Sequence, residues 1–282
     1  MPDQDGHERR ERTIRANGLR LRVVTWGAAH HPRVVLVHGG SAHARWWDFV
    51  AAALAGRYHL IAPDLRGHGD SEHADPPHYG IEEYVHDLEA LVTALDLGPF
   101  ALVGHSLGAF IALRFTECHP ELVRCLVTVD GRPWSGRGRR TALLTRLQHL
   151  PHPRFTDVDD AVRRFRLLPS ATSAAPEVLR HVVLTGLRPL PDGGLTFKFD
   201  RATFGHYGHL DLTSAIAGLR CPALFIRGSD SAFVDAAALA RMAALYPAAE
   251  TVEIEGAHHH IMLDRPAALA TTLNTFLSTH LP

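Results

Sequence analysis

The chain has 282 residues, 46% of them hydrophobic, and its charges nearly cancel to a formal net −1. That length suits one large α/β domain with an insertion, or two small domains, and a near-neutral chain has no global field to attract nucleic acid or an anionic membrane. Apolar runs such as VVLVHGG and FALVGHS fall far below the roughly 20 residues of a membrane span, so small-molecule chemistry is the first expectation.

The N-terminal stretch MPDQDGHERRERTIRANG mixes charges of both signs without an apolar core, so no signal peptide is read. Cys118, Cys125 and Cys221 lack CxxC spacing. They suit a reducing cytoplasm, with neither a disulfide framework nor a zinc site, and are expected to be buried structural thiols.

RTIRANGLRLRVVTWG reads as two extended runs hinged at Asn17-Gly18, a strong hairpin signal. RVVLVHG follows as a short β-branched strand, Trp46 to Leu54 as a helix and YHLIAPD as a strand. Ile81 to Leu95 has the spacing of an amphipathic helix; FALVGHS is a strand running into a helix over Leu107 to Cys118, and RCLVTVDG is the sixth strand. Short apolar runs without alternation imply strands covered on both faces, as in a parallel sheet.

After Gly131 the rhythm breaks. Arg132 to about Gly218 holds a Gly/Arg-rich start, scattered prolines and helical segments such as DVDDAVRRFRLL and APEVLRHVVLTGL. Strand signals resume with CPALFIRG and ETVEIEG, and a last helix runs from about Pro266 to Leu277. The expected architecture is therefore α/β: a doubly wound, mostly parallel sheet built from residues 1–131 and 219–282, with a helical cap of residues 132–218 inserted after the sixth strand.

GHSLG, Gly104 to Gly108, matches G-x-S-x-G where a strand meets a helix. That context is what a nucleophilic serine requires: a strained turn that projects Ser106 Oγ above the sheet, with small neighbours letting strand and helix approach. The Leu107 N–H, at the start of the helix, is placed to stabilise an oxyanion. In LVHGGS, Gly39 and Gly40 let the backbone turn inward, and the Gly40 N–H is the second candidate donor.

HGG, then DLRGHGDS at Asp64 to Ser71, then GHSLG and a late GAHHH resemble the α/β-hydrolase superfamily along nearly the whole chain, least well in the cap. The resemblance implies that Asp64, Arg66 and Ser71 are scaffold. A serine nucleophile is similar to esterases, lipases, thioesterases and carbon-carbon hydrolases, and unlike the aspartate of epoxide hydrolases and haloalkane dehalogenases.

His258, His259 and His260 invite a metal reading, but consecutive residues point in different directions, whereas ligand pairs on one element sit at i, i+2 or i, i+4. Chain order favours a general base instead. Members of the superfamily commonly carry this histidine five residues before an acid that precedes x-Pro; counting back from Asp264-Arg265-Pro266 lands on His259, with His258 as its rival. His260 is expected to pack or line the pocket, and Asp264 to cap the last helix.

Two aspartates compete for the third role, accepting the histidine N–H. Asp230 follows the seventh strand, where the superfamily more often has its acid, but one residue early; Asp130 ends the sixth strand. RGSDSAFV resembles a branch of short-chain acyl esterases that has serine at the usual acid position and takes its acid from the sixth strand. Asp130 is the expectation and Asp230 the alternative.

The function expected is a cofactor-free serine hydrolase cleaving a carboxylic ester of a small or medium acyl substrate. Lactone, thioester or carbon-carbon cleavage is neighbouring chemistry, and a ligand sensor on a hydrolase fold is the rival class. Trp46-Trp47 and Phe155, Phe165, Phe204 and Tyr207 are candidates to line the substrate pocket. The cap arginines (Arg132, Arg137, Arg139, Arg140, Arg163, Arg164, Arg166 and Arg188) suggest either an anionic substrate or, more simply, solvated faces of a chain whose one lysine is Lys198.

Overall fold

The computed structural model describes residues 9–135, 139–206 and 210–281. Eight strands, numbered in chain order, form one sheet: β1 (Arg10–Ala16), β2 (Leu19–Trp26), β3 (Arg33–Val37), β4 (His59–Pro63), β5 (Phe100–His105), β6 (Val123–Val129), β7 (Ala223–Gly228) and β8 (Glu250–Ile254). Their spatial order is β1-β2-β4-β3-β5-β6-β7-β8. β2 pairs antiparallel with both β1, to which it is joined through Asn17 and Gly18 at φ of 49° and 79°, and β4; the other pairings of the sheet are parallel.

The short apolar runs work because a strand sends alternate side chains to opposite faces. In β3, Val34 and Leu36 enter one core cluster while Val35 and Val37 enter the other; in β5, Ala101 and Val103 part from Phe100 and Leu102 in the same way. Helices α1 (Asp48–Leu54), α9 (Ile261–Asp264) and α10 (Pro266–His280) cover the first face. The second is covered by α2 (Ile81–Ala94), α3 (Leu107–Cys118) and α8 (Ala236–Leu245).

β3 lies between β4 and β5, so the chain reverses its winding direction there. In open α/β sheets ligands bind beyond the carboxyl ends of the strands at such a switch point. The HGG loop leaves β3 and the GHSLG turn leaves β5 at this place.

Between β6 and β7 the chain makes a long excursion through α4 (Arg139–Gln148), α5 (Val158–Arg164) and α6 (Pro176–Gly186). It is not purely helical as expected: Leu187–Pro189 and Leu195–Phe197 form an antiparallel hairpin, its PDGG turn using Gly193 and Gly194 at φ of 85° and 82°. That turn chemistry was readable in the sequence. Trp134–Ser135 pairs with Leu210–Asp211, so the excursion leaves and returns side by side, and α7 (Thr213–Ala217) then packs Ala215 and Ile216 into the core.

Cys125 and Cys221 are buried, but Cys118 is exposed because it ends α3. Among the described residues no helix is long and apolar enough to cross a membrane.

Candidate active site

The turn from β5 to α3 is as tight as its sequence demands. Ser106 sits at φ 52°, ψ −111°, a conformation costly for any residue with a Cβ. A Cβ on Gly104 would lie 2.2 Å from the Gly108 carbonyl oxygen, and one on Gly108 would lie 2.2 Å from the Val37 carbonyl oxygen. Gly39 approaches from β3 so closely that a Cβ there would be 3.2 Å from Ser106 Cβ. Leu107 opens α3, so its N–H has no acceptor within the helix.

His259, on the loop after β8, reaches Ser106: its Nε2 accepts from Ser106 Oγ at 3.0 Å. Its Nδ1–H donates to Asp130 Oδ2 at 2.6 Å. Asp130 is fully buried past the end of β6 at φ 44° and also accepts the Gly228 N–H through Oδ1 at 3.1 Å. Burial pushes its carboxyl up to about 7, against the Ser231 and Gly228 hydrogen bonds and the positive field of Arg227.

Asp230 is not brought to this group. It is exposed, and its carboxylate accepts from Ser229 Oγ. Ser231 takes the place instead: its hydroxyl donates to Asp130 Oδ2 at 2.6 Å and accepts the N–H groups of Phe233 and Val234.

The neighbouring histidines separate by environment. His258 is half-buried, with Nδ1 3.2 Å from the Asp230 carbonyl. His260 is buried, its ring 5.4 Å from Trp46, and lines a cavity. His105, inside GHSLG, donates from Nε2 to the His259 carbonyl at 3.0 Å, which braces the histidine loop; burial holds it neutral, well below the usual histidine range. One imidazole nitrogen each of His105, His259 and His260 lie within 4.8 Å of one another. Metal–nitrogen bonds of about 2.0–2.1 Å would draw these rings together, and His259 would lose a hydrogen bond to Ser106 or Asp130.

Asp264 proves to be more than a helix cap. It accepts the His258 N–H at 2.8 Å, the Ser173 N–H at 2.9 Å and the Thr172 hydroxyl, clasping the histidine loop to the excursion. The N-cap position of α10 belongs to Arg265, with Pro266 opening the helix. Asp64, Arg66 and Ser71 are bound into the scaffold: Asp64 accepts from Ala44 and Asp70 N–H groups, Arg66 pairs with Asp87 through two bonds, and Ser71 donates to the Asp64 carbonyl.

A cavity of about 270 Å³ lies between the excursion and the sheet. Gly40, Ser41, Trp46 and His260 form its floor, and Phe155, Phe165, Phe197, Phe199 and Phe204 come from the excursion. Trp47 is core. Ser106 is 7% exposed and lies next to Gly39, whose neighbour Gly40 lines the cavity. Arg164 and Arg166 line the cavity, whereas Arg163 pairs with Asp160 and Arg188 faces solvent. Arg137 and Tyr207, and the side chains of Arg139 and Arg140, lie outside the described residues.

Residues 32–266 match the α/β hydrolase fold family. The chain belongs to the α/β-hydrolase family. Over 251 residues it is 30% identical to 2-(acetamidomethylene)succinate hydrolase of Mesorhizobium japonicum, covering 87% of this chain and 88% of that one. Over 267 residues it is 30% identical to the esterase Rv0045c of Mycobacterium tuberculosis, covering 92% and 87%. The crystal structure of E-2-(acetamidomethylene)succinate hydrolase superposes with a TM-score of 0.84 at 26% identity, covering 96% and 100%.

Two further residues of this α/β-hydrolase site carry no sequence signal: His105, and Phe233, whose ring lies 4.8 Å from that of His259. Ser231, the serine at the superfamily's usual acid position, was the sequence signal that favoured Asp130, and its bond to Asp130 is visible only in the structure.

Proposed function

We propose that the protein is a serine hydrolase that cleaves a carboxylic ester of a small or medium acyl substrate through an acyl-enzyme. The observation that carries this reading is the hydrogen-bond chain from Ser106 Oγ through His259 to Asp130, beside a strained strand-to-helix turn.

Ser106 Oγ attacks the carbonyl carbon as its proton passes to His259 Nε2. Asp130 keeps the Nδ1 proton in place and offsets the charge of the imidazolium. The N–H groups of Gly40 and Leu107 donate to the oxyanion. The imidazolium then protonates the leaving alkoxide, and water repeats the sequence to release the acid. This chemistry requires no cofactor. Residues 132–218 act as a cap that sets specificity, a role supported by their share of the cavity wall.

Fold alone does not name a substrate. Similarity to a named esterase supports the ester, and equal identity to 2-(acetamidomethylene)succinate hydrolase supports a second reading, cleavage of another acyl bond by the same residues. Multiple turnover of p-nitrophenyl acetate and butyrate, with fluorophosphonate labelling of Ser106, is the expected result. A protein that turns over at most once is a sensor on a hydrolase fold, and one that leaves Ser106 unlabelled is not a serine hydrolase.

A further inference from the structure

The cavity is lined by four cationic side chains, Arg164, Arg166, Lys198 and Arg201, and by no aspartate or glutamate among the described residues. Two of the four are neutralised locally. Arg164 Nη1 donates to Asp160 Oδ2 at 3.0 Å, and Lys198 Nζ donates to Asp70 Oδ2 at 2.7 Å.

The other two have no carboxylate partner among the described residues. Arg166 Nη1 donates to the backbone carbonyls of Arg163 and Phe165. Arg201 is the more telling, because it is half-buried: Nη1 donates to the Leu147 carbonyl at 3.0 Å, while Nε is shielded from solvent without an acceptor among the described residues. Burial pulls its pKa below the ordinary guanidinium value. Asp200, its neighbour in the chain, spends its carboxylate on the Tyr79 hydroxyl and the Ala202 N–H. A half-buried cation with no counter-anion is costly unless an anion arrives with the ligand.

We propose that the substrate is an ester whose acyl part ends in a free carboxylate, with Arg201 as the group that binds that carboxylate. A planar guanidinium fork suits a carboxylate better than a point charge does, and the phenylalanine walls suit the few methylenes between the two ends. The sequence offered solvated faces as the simpler account of its cap arginines; that account does not extend to Arg201, which faces a cavity beside Gly40 and is not fully hydrated. The inference rests on the ester-hydrolase reading and deepens it.

The test compares monoethyl succinate, glutarate and adipate with ethyl butyrate, valerate and hexanoate, following proton release. The wild-type protein is expected to prefer the acidic ester of the best length by about tenfold or more in kcat/KM, mainly through KM. Arg201→Met is expected to cut that selectivity ratio by about tenfold, Arg201→Lys to restore part of it, and Arg188→Met, an exposed change away from the cavity, to leave it unaltered. A wild-type protein without the preference, or a ratio unmoved by R201M in folded protein, overturns the proposal.

Calorimetric titration of glutarate into Ser106→Ala protein separates the two readings. Glutarate binding that is lost in S106A/R201M supports the carboxylate site even if no ester is hydrolysed. Hydrolysis of neutral esters without Arg201-dependent glutarate binding leaves the hydrolase standing and removes this inference.

Discussion

Ser231 Oγ–H and His259 Nδ1–H donate to the same oxygen of Asp130, each at 2.6 Å. The serine hydroxyl thus helps to orient the carboxylate and, by bonding to the ionised form, opposes the desolvation that pushes Asp130 up to about 7.

Ser231→Ala is therefore expected to slow turnover and shift its pH dependence. The working state needs Asp130 ionised and His259 neutral, so kcat/KM falls as pH drops through the range in which the pair takes up a proton. Removing a hydrogen bond that favours the carboxylate raises its pKa further, so the acid limb of the profile moves to higher pH. A pH–rate profile checks this; an acid limb that stays put in the folded variant counts against the role given to Ser231.

Asp130→Asn and Asp230→Asn should part by orders of magnitude. The first puts an amide against His259 Nδ1 and favours the wrong tautomer, a loss of about 10⁴ in kcat in comparable sites. The second alters an exposed side chain bonded to Ser229, with an effect expected within about threefold. Steady-state kinetics on both variants, with circular dichroism to confirm folding, decide the matter.

Asp264→Ala removes the acceptor shared by His258, Thr172 and Ser173. Leaving these donors without their partner should cost about 3 kcal/mol of stability, measured by urea unfolding. Turnover should fall as well, because His259 follows directly on His258. Asp264→Asn, which keeps one acceptor oxygen, should cost less.

Gly108→Ala would place a methyl group 2.2 Å from the Val37 carbonyl. The helix must then withdraw from β3, at an expected cost of about 1–3 kcal/mol, and carry the Leu107 N–H away from the oxyanion position. A lowered melting temperature together with a fall in kcat larger than any change in KM is the expected pair of results.

Much of the fold was legible because the signals are local. The unbroken apolar runs of β3 and β5, the Asn17-Gly18 turn and the Gly-Ser-Gly spacing of the β5–α3 turn depend on neighbours within a few residues. The hairpin at Gly193-Gly194 is equally local, but it sits in a stretch of scattered prolines and helical segments. Asp264 was read as a cap because capping too is a local rule, whereas its actual partners Thr172 and Ser173 lie some ninety residues away.

By itself, the sequence determined the α/β-hydrolase architecture and pointed to Ser106 and, with His258 as rival, to His259; these two meet at the switch point. It left two aspartates at the ends of adjacent strands, with Asp130 favoured by spacing and Asp230 as the alternative. Only the tertiary structure brings one of them to His259: the turn after β7 points the Asp230 side chain to solvent and seats Ser231 against Asp130, which accepts from His259. The same holds for Arg201. Nothing in its neighbourhood along the chain marks it out from the other arginines, and only the packing of the excursion over the sheet leaves it half-buried on a cavity without a counter-charge among the described residues.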